Sequence, residues 1–236
     1  MGSPATPGGS PVKERGMIFN SEMVRAILEG RKTQTRRIMK VQPGTPEFGL
    51  RRIIESSKAN ENGMYFWSQD DACGIKARSK PFLFPYGEVG DRIWVRETFR
   101  VHSRATDVAT LVYRASVRNS WTEQTHRVPV AVCNKPATPE KWTPSIHMPR
   151  WASRITLEIT DVRVERLNNI SYDDAISEGI KQEWTCIDPG LGSYAHKNDV
   201  QDDYETLWKS IYGTDSWQAN PWVWVIEFKR VEGGAA

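Results

Sequence analysis

Ser21-Glu22-Met23-Val24-Arg25-Ala26-Ile27-Leu28-Glu29-Gly30 runs directly into Arg31-Lys32-Thr33-Gln34-Thr35-Arg36-Arg37-Ile38. The first half places Met23, Val24, Ile27 and Leu28 at helical spacing, with Ser21 as the expected N-cap and Gly30 as the stop. A helix of about two and a half turns follows from that spacing. The second half lacks the period and is expected to run extended toward Ile38. Four of the eight residues from Gly30 to Arg37 are cationic, and two threonines sit among them. Arg offers planar forked donors and Lys a compact charge, so the segment suits an anionic ligand. It also sets the Lys32 amine close in sequence to a candidate hydroxyl nucleophile. A solvated basic strand is the plainer reading of the same residues.

Working outward, Gly87-Glu88-Val89-Gly90-Asp91 forms a turn into Arg92-Ile93-Trp94-Val95-Arg96-Glu97-Thr98-Phe99, a strand by its β-branched and aromatic content. Short strands are expected near Thr110 to Tyr113 and Val128 to Cys133. A longer one carries Ile155, Leu157 and Ile159 on one face, then slips phase to Val162 and Val164. Ser171 and Asp174 open a helix that closes at Gly179. Tyr204, Leu207, Trp208 and Ile211 mark an amphipathic helix ended by Gly213. The last element, Trp222 to Phe228, is apolar on both faces, as a strand closing a barrel would be. Residues 41 to 80, 102 to 143 and 181 to 200 read as loop insertions. Few helices alternate with strands, so the expectation is one α+β domain over 17–231, a small mixed β-barrel flanked by short helices.

The 236-residue chain has a net charge of +3, so attraction for a polyanion must come from local clustering. Its ten tryptophans suit core or barrel-rim positions, and also stacking on bases. Cys73, Cys133 and Cys186 are widely spaced, as are His102, His126, His147 and His196, so neither a metal nor a cofactor is expected. Scattered cysteines fit a reducing cytoplasm. No apolar run approaches membrane-spanning length. Residues 1–16 read as a disordered leader or expression scar, and residues 232–236 as a tail.

Taken together, the short helix, Gly-Arg-Lys-Thr-Gln-Thr-Arg-Arg (30–37), Gly-Asp-Arg-Ile-Trp-Val-Arg-Glu (90–97) and Trp-Val-Trp-Val-Ile-Glu-Phe (222–228) resemble an ASCH domain, a relative of the PUA RNA-binding barrel. Pro144-Ser145-Ile146-His147-Met148-Pro149-Arg150-Trp151-Ala152-Ser153-Arg154 is similar to the larger ASCH proteins of phages and prophages. The resemblance implies a nucleoside- or nucleic-acid-directed protein in a bacterial cytoplasm. Some small bacterial ASCH proteins are N4-acetylcytidine amidohydrolases, which implies a catalytic set of Lys32, Thr35 and Glu178, with Arg37 matching a substrate-binding Arg.

The chemistry is coherent on its own terms. Lys32, crowded by Arg31, Arg36 and Arg37, would lose its proton more readily and serve as a base. Thr35, or a water held by it, would attack the acyl carbonyl. Glu178 would protonate the leaving nitrogen, and Arg37 would hold the substrate or the oxyanion. Each residue has a plainer role as well: Lys32 and Arg37 as phosphate binders, Thr35 as an ordinary strand residue, Glu178 as a surface acid. Glu97 is a further candidate for the pocket, or else a buried partner of Arg96 or Arg92. His147, Arg150 and Trp151 could clamp a base, or Trp151 could plug the barrel.

Three functions follow as expectations: an amidohydrolase on N4-acylated cytidine, a non-catalytic RNA- or DNA-binding module or ribonuclease-like relative, and an accessory protein that binds a host protein. The expected partner is a modified nucleoside, RNA or DNA, with no membrane. Oligomeric state is left open.

Overall fold

The structure is a computed structural model that describes residues 12–182, 184–188, 193–196 and 199–231. In chain order the elements are β1 (Glu14–Ile18), α1 (Ser21–Leu28), β2 (Gln34–Ile38), β3 (Gly49–Arg52), β4 (Tyr65–Asp71), β5 (Gly74–Arg78), β6 (Arg92–Arg96), β7 (Phe99–Arg104) and β8 (Val108–Tyr113). They continue with α2 (Trp121–Gln124), β9 (Thr125–Pro129), β10 (Thr156–Arg166), α3 (Tyr172–Ser177), β11 (Trp184–Asp188), β12 (Ser193–His196), α4 (Val200–Tyr212), α5 (Thr214–Gln218) and β13 (Trp222–Arg230). This is an α+β protein. Among the described residues no helix is long and apolar enough to cross a membrane.

Two compact units emerge, each built from separated segments. The first holds the described parts of Met1–Leu28, Val89–Thr160 and Phe228–Ala236; the second holds Glu29–Glu88 and Asp161–Glu227. β10 passes from one to the other after Thr160, where the sequence slips its apolar phase.

In the first unit β1 runs parallel to β6, with Gly16 opposite Trp94, and β6 pairs antiparallel with β10 through Ile93 and Leu157. Gly16 is required by space: a Cβ there would lie 2.6 Å from the Trp94 ring and 2.9 Å from Arg96 Cδ. Arg96 in turn lies over the Trp94 ring at 5.4 Å. Asn20, one residue before the expected Ser21, caps α1; its Oδ1 accepts from Met23 N–H at 2.8 Å. β7, β8 and β9 form an antiparallel sheet, and Phe99, Val101, Ala109, Leu111, Tyr113 and Val128 pack its buried side against Met148 and Ala152.

In the second unit β2 pairs antiparallel with β13, setting Thr35 opposite Ile226, Arg36 opposite Val225 and Arg37 opposite Trp224. Leu167, Ala175, Tyr204, Trp208, Val223 and Val225 form its core. The buried stripe of α4 is Val200, Tyr204 and Trp208, whereas Ile211, placed on that face by the sequence, is 40% exposed. Residues 41 to 80, expected as loop, contain the antiparallel sheet β3–β4–β5. Trp67 on β4 is fully buried; its Nε1 donates to Val41 O at 3.0 Å and its ring lies 5.2 Å from Trp222. β3 and β5 are largely exposed, so they lack the alternation that announces a strand.

The expected closed barrel is not formed. Closure needs a second partner for each edge strand, and among the described residues β1 pairs only with β6 and β2 only with β13. Met39 N–H still donates to Trp222 O at 3.0 Å, and beyond it the Gln42 side chain takes over, its Nε2 donating to the Met39 and Trp222 carbonyls at 2.8 and 3.0 Å before Pro43. β13 is nevertheless buried on both faces from Val223 to Ile226, as its sequence requires. The expected insertion at 181–200 is described only in part, as the β11–β12 hairpin. The stretch read as leader lies outside the described residues up to residue 11, and β1 begins at Glu14. The tail from residue 232 lies outside them too.

A candidate active site at a buried lysine–glutamate pair

Three consecutive residues before β2 are stitched to three around the end of α3. Thr33 N–H donates to Ser177 O at 2.8 Å. Lys32 Nζ donates to Glu178 O at 2.9 Å, and the Arg31 guanidinium donates to Gly179 O. Gly179 makes the turn possible with φ +96°. Glu178 closes α3 at its C-terminal end, where the helix dipole disfavours a carboxylate. Lys32 compensates: its Nζ also donates to Glu178 Oε2 at 2.6 Å, with the two side chains 0% and 2% exposed.

Arg36 extends the cluster. Its Nη1 lies 3.5 Å from Glu178 Oε1, and its Nη2 reaches Glu165 Oε2 at 3.1 Å and Asp174 Oδ2 at 3.0 Å. Arg163 closes a ring, donating to Glu165 at 2.6 Å, to Asp174 at 2.7 Å, to Glu227 and to Gln34 Oε1. The cations Lys32, Arg36 and Arg163 are thus enclosed by Glu165, Asp174, Glu178 and Glu227. Arg36 Nε alone in that guanidinium is buried without a hydrogen-bond partner.

The electrostatics follow from enclosure. Burial pushes the Lys32 amine below the usual lysine range; Glu178 works against that, and Arg37 and Arg36 reinforce it. For Asp174 burial favours the acid form, but Arg36, the Ser171 contact and Arg163 overcome it and hold the carboxyl below its usual range. Arg163 is also desolvated, yet its carboxylate partners raise it further.

Thr35 is 1% exposed and has no side-chain hydrogen bond among the described residues. Along β2 it shares a face with Arg37, Ile226 and Trp224, alternating with Gln34 and Arg36. Arg37 Nη1 donates to Tyr212 Oη at 3.2 Å. Tyr86 and Tyr204 also lie within electrostatic reach of Arg37, and Tyr204 of Glu178 as well. Burial raises both phenols, so they stay protonated as donors. None of these three tyrosines was singled out for the site from the sequence. Only Tyr204 carried a signal, its place on the buried stripe of α4, and that reads as core.

The structure therefore brings together Arg31, Lys32, Arg36 and Glu178, with Arg37 within electrostatic reach of Lys32 and Thr35 beside Arg37 on the other face of β2. Glu97, His147, Arg150 and Trp151 belong to the other unit. Glu97 pairs with Arg154, not with Arg96 or Arg92: Arg154 Nε and Nη2 donate to its two oxygens at 2.9 and 3.1 Å. Burial raises the Glu97 carboxyl while Arg154 opposes. The same guanidinium lies 4.0 Å from the Tyr113 ring centroid. Arg150 pairs with Glu14 at 2.9 Å, His147 is exposed, and Trp151 packs edge-on against Phe99. Trp151 thus packs, partly buried, against an apolar core.

Among the described residues no group of three or more His, Cys, Asp or Glu is placed to hold a metal ion. No family model, curated protein or solved structure matches the chain.

Proposed function

We propose that this protein is an ASCH-like amidohydrolase that removes the acyl group from N4 of a modified cytidine, with Lys32, Thr35 and Glu178 as its catalytic residues. The observation that carries the reading is the enclosed Lys32–Glu178 pair. A neutral lysine amine has two N–H bonds and one lone pair. Both N–H bonds have acceptors in Glu178 O and Oε2, which leaves the lone pair to act as a base.

In the proposed reaction Lys32 takes the proton of Thr35, or of a water held by it, as that oxygen bonds to the acyl carbon. The proton passes across the 2.6 Å contact to Glu178 and on to N4 as the C–N bond breaks. Cytidine leaves, and an acyl-Thr35 ester, where formed, is hydrolysed by the reverse relay. Arg37, with Tyr212 behind it, holds the substrate or the developing oxyanion.

The reading of 31–37 as a phosphate-binding strip has less support. Lys32 and Arg36 are buried and already matched by carboxylates, so they present no positive surface to a polymer. The same enclosure favours a small substrate over a strand of nucleic acid.

The test is release of cytidine from N4-acetylcytidine, followed by chromatography for the wild type, Thr35→Ala and Glu178→Gln. Wild-type release that falls by roughly 10²-fold or more in each folded variant is expected. A folded wild type that releases none overturns the proposal.

A further inference from the structure

A cavity of about 360 Å³ lies in the second unit beside the β3–β4–β5 sheet, and it carries charges of both signs, Arg52 and Arg78 with Glu55 and Glu61. Its apolar lining is Ile53, Ile54 and Phe66. On β4, Phe66 opposes Arg51 and Ser68 opposes Arg78, so Phe66 and Arg78 share one face of the sheet. Tyr65 and Trp67 turn to the other face and pack against Trp224 and Trp222. The Arg78 guanidinium lies over the Phe66 ring at 5.3 Å from its centroid. The segment from Ile53 to Glu61 is pinned in place: Ile53 N–H donates to Met64 O and Gly63 N–H to Ile53 O, each at 2.8 Å. Ser56 N–H donates to Asn62 Oδ1 at 2.8 Å. The lining is thus held by the chain itself.

The charges divide into satisfied and unsatisfied. Glu61 accepts from Ser56 Oγ at 3.3 Å and pairs with Lys58 at 3.5 Å. Arg52 reaches Glu88 at 3.8 Å and lies over the Tyr65 ring. Arg78 and Glu55 are exposed, and among the described residues neither makes an ion pair or a side-chain hydrogen bond. They line the same cavity and still do not pair with each other. Opposite charges held apart in this way leave room for a molecule that meets both. Ile54, next to Glu55, is 90% exposed, the highest value among the described large apolar side chains. Covering it would remove apolar surface from water.

We infer that this cavity binds a free amino acid with an apolar side chain. Arg78 takes the carboxylate through its forked donors, Glu55 takes the ammonium, and the side chain lies against Phe66, Ile53 and Ile54. An acid alone would face Glu55 and Glu61 unmatched, and an amine alone would face Arg52 and Arg78. A neutral apolar molecule would leave both unpaired charges unused. A zwitterion with an apolar body uses every part of the lining. The volume agrees, since it stands at the small end of ligand cavities, which run from about 300 to about 1,000 Å³. The inference rests on no part of the chemistry proposed at Lys32.

The experiment is isothermal titration calorimetry of the full chain with L-phenylalanine, L-isoleucine, N-acetyl-phenylalanine and phenylalaninamide. Phenylalanine or isoleucine should bind with a Kd of about 1 mM or tighter. The acetylated and amidated forms, each lacking one of the two charges, should bind roughly tenfold more weakly or not at all. Arg78→Gln should weaken phenylalanine binding by roughly tenfold or more, Glu55→Gln by a similar factor, and Arg78→Lys by less. Arg78 and Glu55 are exposed, so the variants should melt as the wild type does. Absence of binding by both amino acids, or wild-type affinity in Arg78→Gln, overturns the inference. N-acetyl-phenylalanine binding as tightly as phenylalanine also overturns it and points to the C-terminus of a peptide. Phenylalaninamide doing so overturns it and points to a peptide N-terminus.

Discussion

Lys32 Nζ lies 2.6 Å from Glu178 Oε2 across a sequence separation of 146 residues, with neither side chain more than 2% exposed. Removing one member of such a pair strands the other charge in a medium that solvates it poorly. Lys32→Met should cost about 3–5 kcal/mol of stability by urea unfolding. Adding Glu178→Met should cost far less than a second such step, because Arg36 keeps Glu165 and Asp174. Additive losses in the double variant would argue against direct coupling.

The lowered Lys32 predicts a direction for pH dependence. Below the folded value Lys32 is an ammonium and has no lone pair, so kcat/KM on N4-acetylcytidine should rise with pH to a plateau, with a midpoint below 10.5. Stability should follow the same sign. Between the folded value and 10.5 the unfolded chain binds more protons, so folding strengthens as pH rises through that window. A rate that falls through it would exclude Lys32 as the base.

Asp174 has the opposite character. Its folded carboxyl titrates below 3.8, so the stability it contributes is present above that value and is lost as pH falls through the lower, folded one. Asp174→Asn should lower the urea midpoint at neutral pH and flatten its decline in acid. An unchanged acid limb would place the acid sensitivity in other carboxylates.

Gly16→Ala tests the first unit alone. Its Cβ would meet the Trp94 ring, which is held under Arg96, so the substitution should destabilise by roughly 1–3 kcal/mol through overpacking. Pairing with Trp94→Leu should recover part of the loss, read as a shift in melting temperature.

Arg154→Lys keeps the charge at Glu97 but gives up the two-pronged contact and the broad face over Tyr113. It should cost about 1.5–3 kcal/mol for each charge-assisted bond lost, measured by chemical denaturation.

What the sequence revealed, and what it hid, divides along physical lines. α1, α4 and β6 were legible because their apolar residues recur at the period of the element they form, and β13 because its unbroken apolar run announces a strand covered on both faces. β3 and β5 were not, since their side chains are mostly wet and the burial lies between them on β4, at Phe66, Trp67 and Ser68. Lys32, Arg36 and Glu178 were visible as chemistry, but the rest of the ring was not. Arg163, Glu165 and Asp174 look like ordinary surface charges until β10 and α3 bring them against β2. Glu97 illustrates the same limit: its neighbours in sequence, Arg96 and Arg92, were the obvious partners, and the actual one is 57 residues away.

The stitching of residues 31 to 33 onto 177 to 179 also sets an order of events during synthesis. A ribosome has emitted the whole basic segment long before it reaches the acids that neutralise it. Until then Lys32 and Arg36 must stay hydrated, and β2 has no strand to join, since β13 comes later still. The second unit therefore closes late, around a segment made early. A nascent chain halted before residue 160 should leave that segment open to protease, and release of the complete chain should close it.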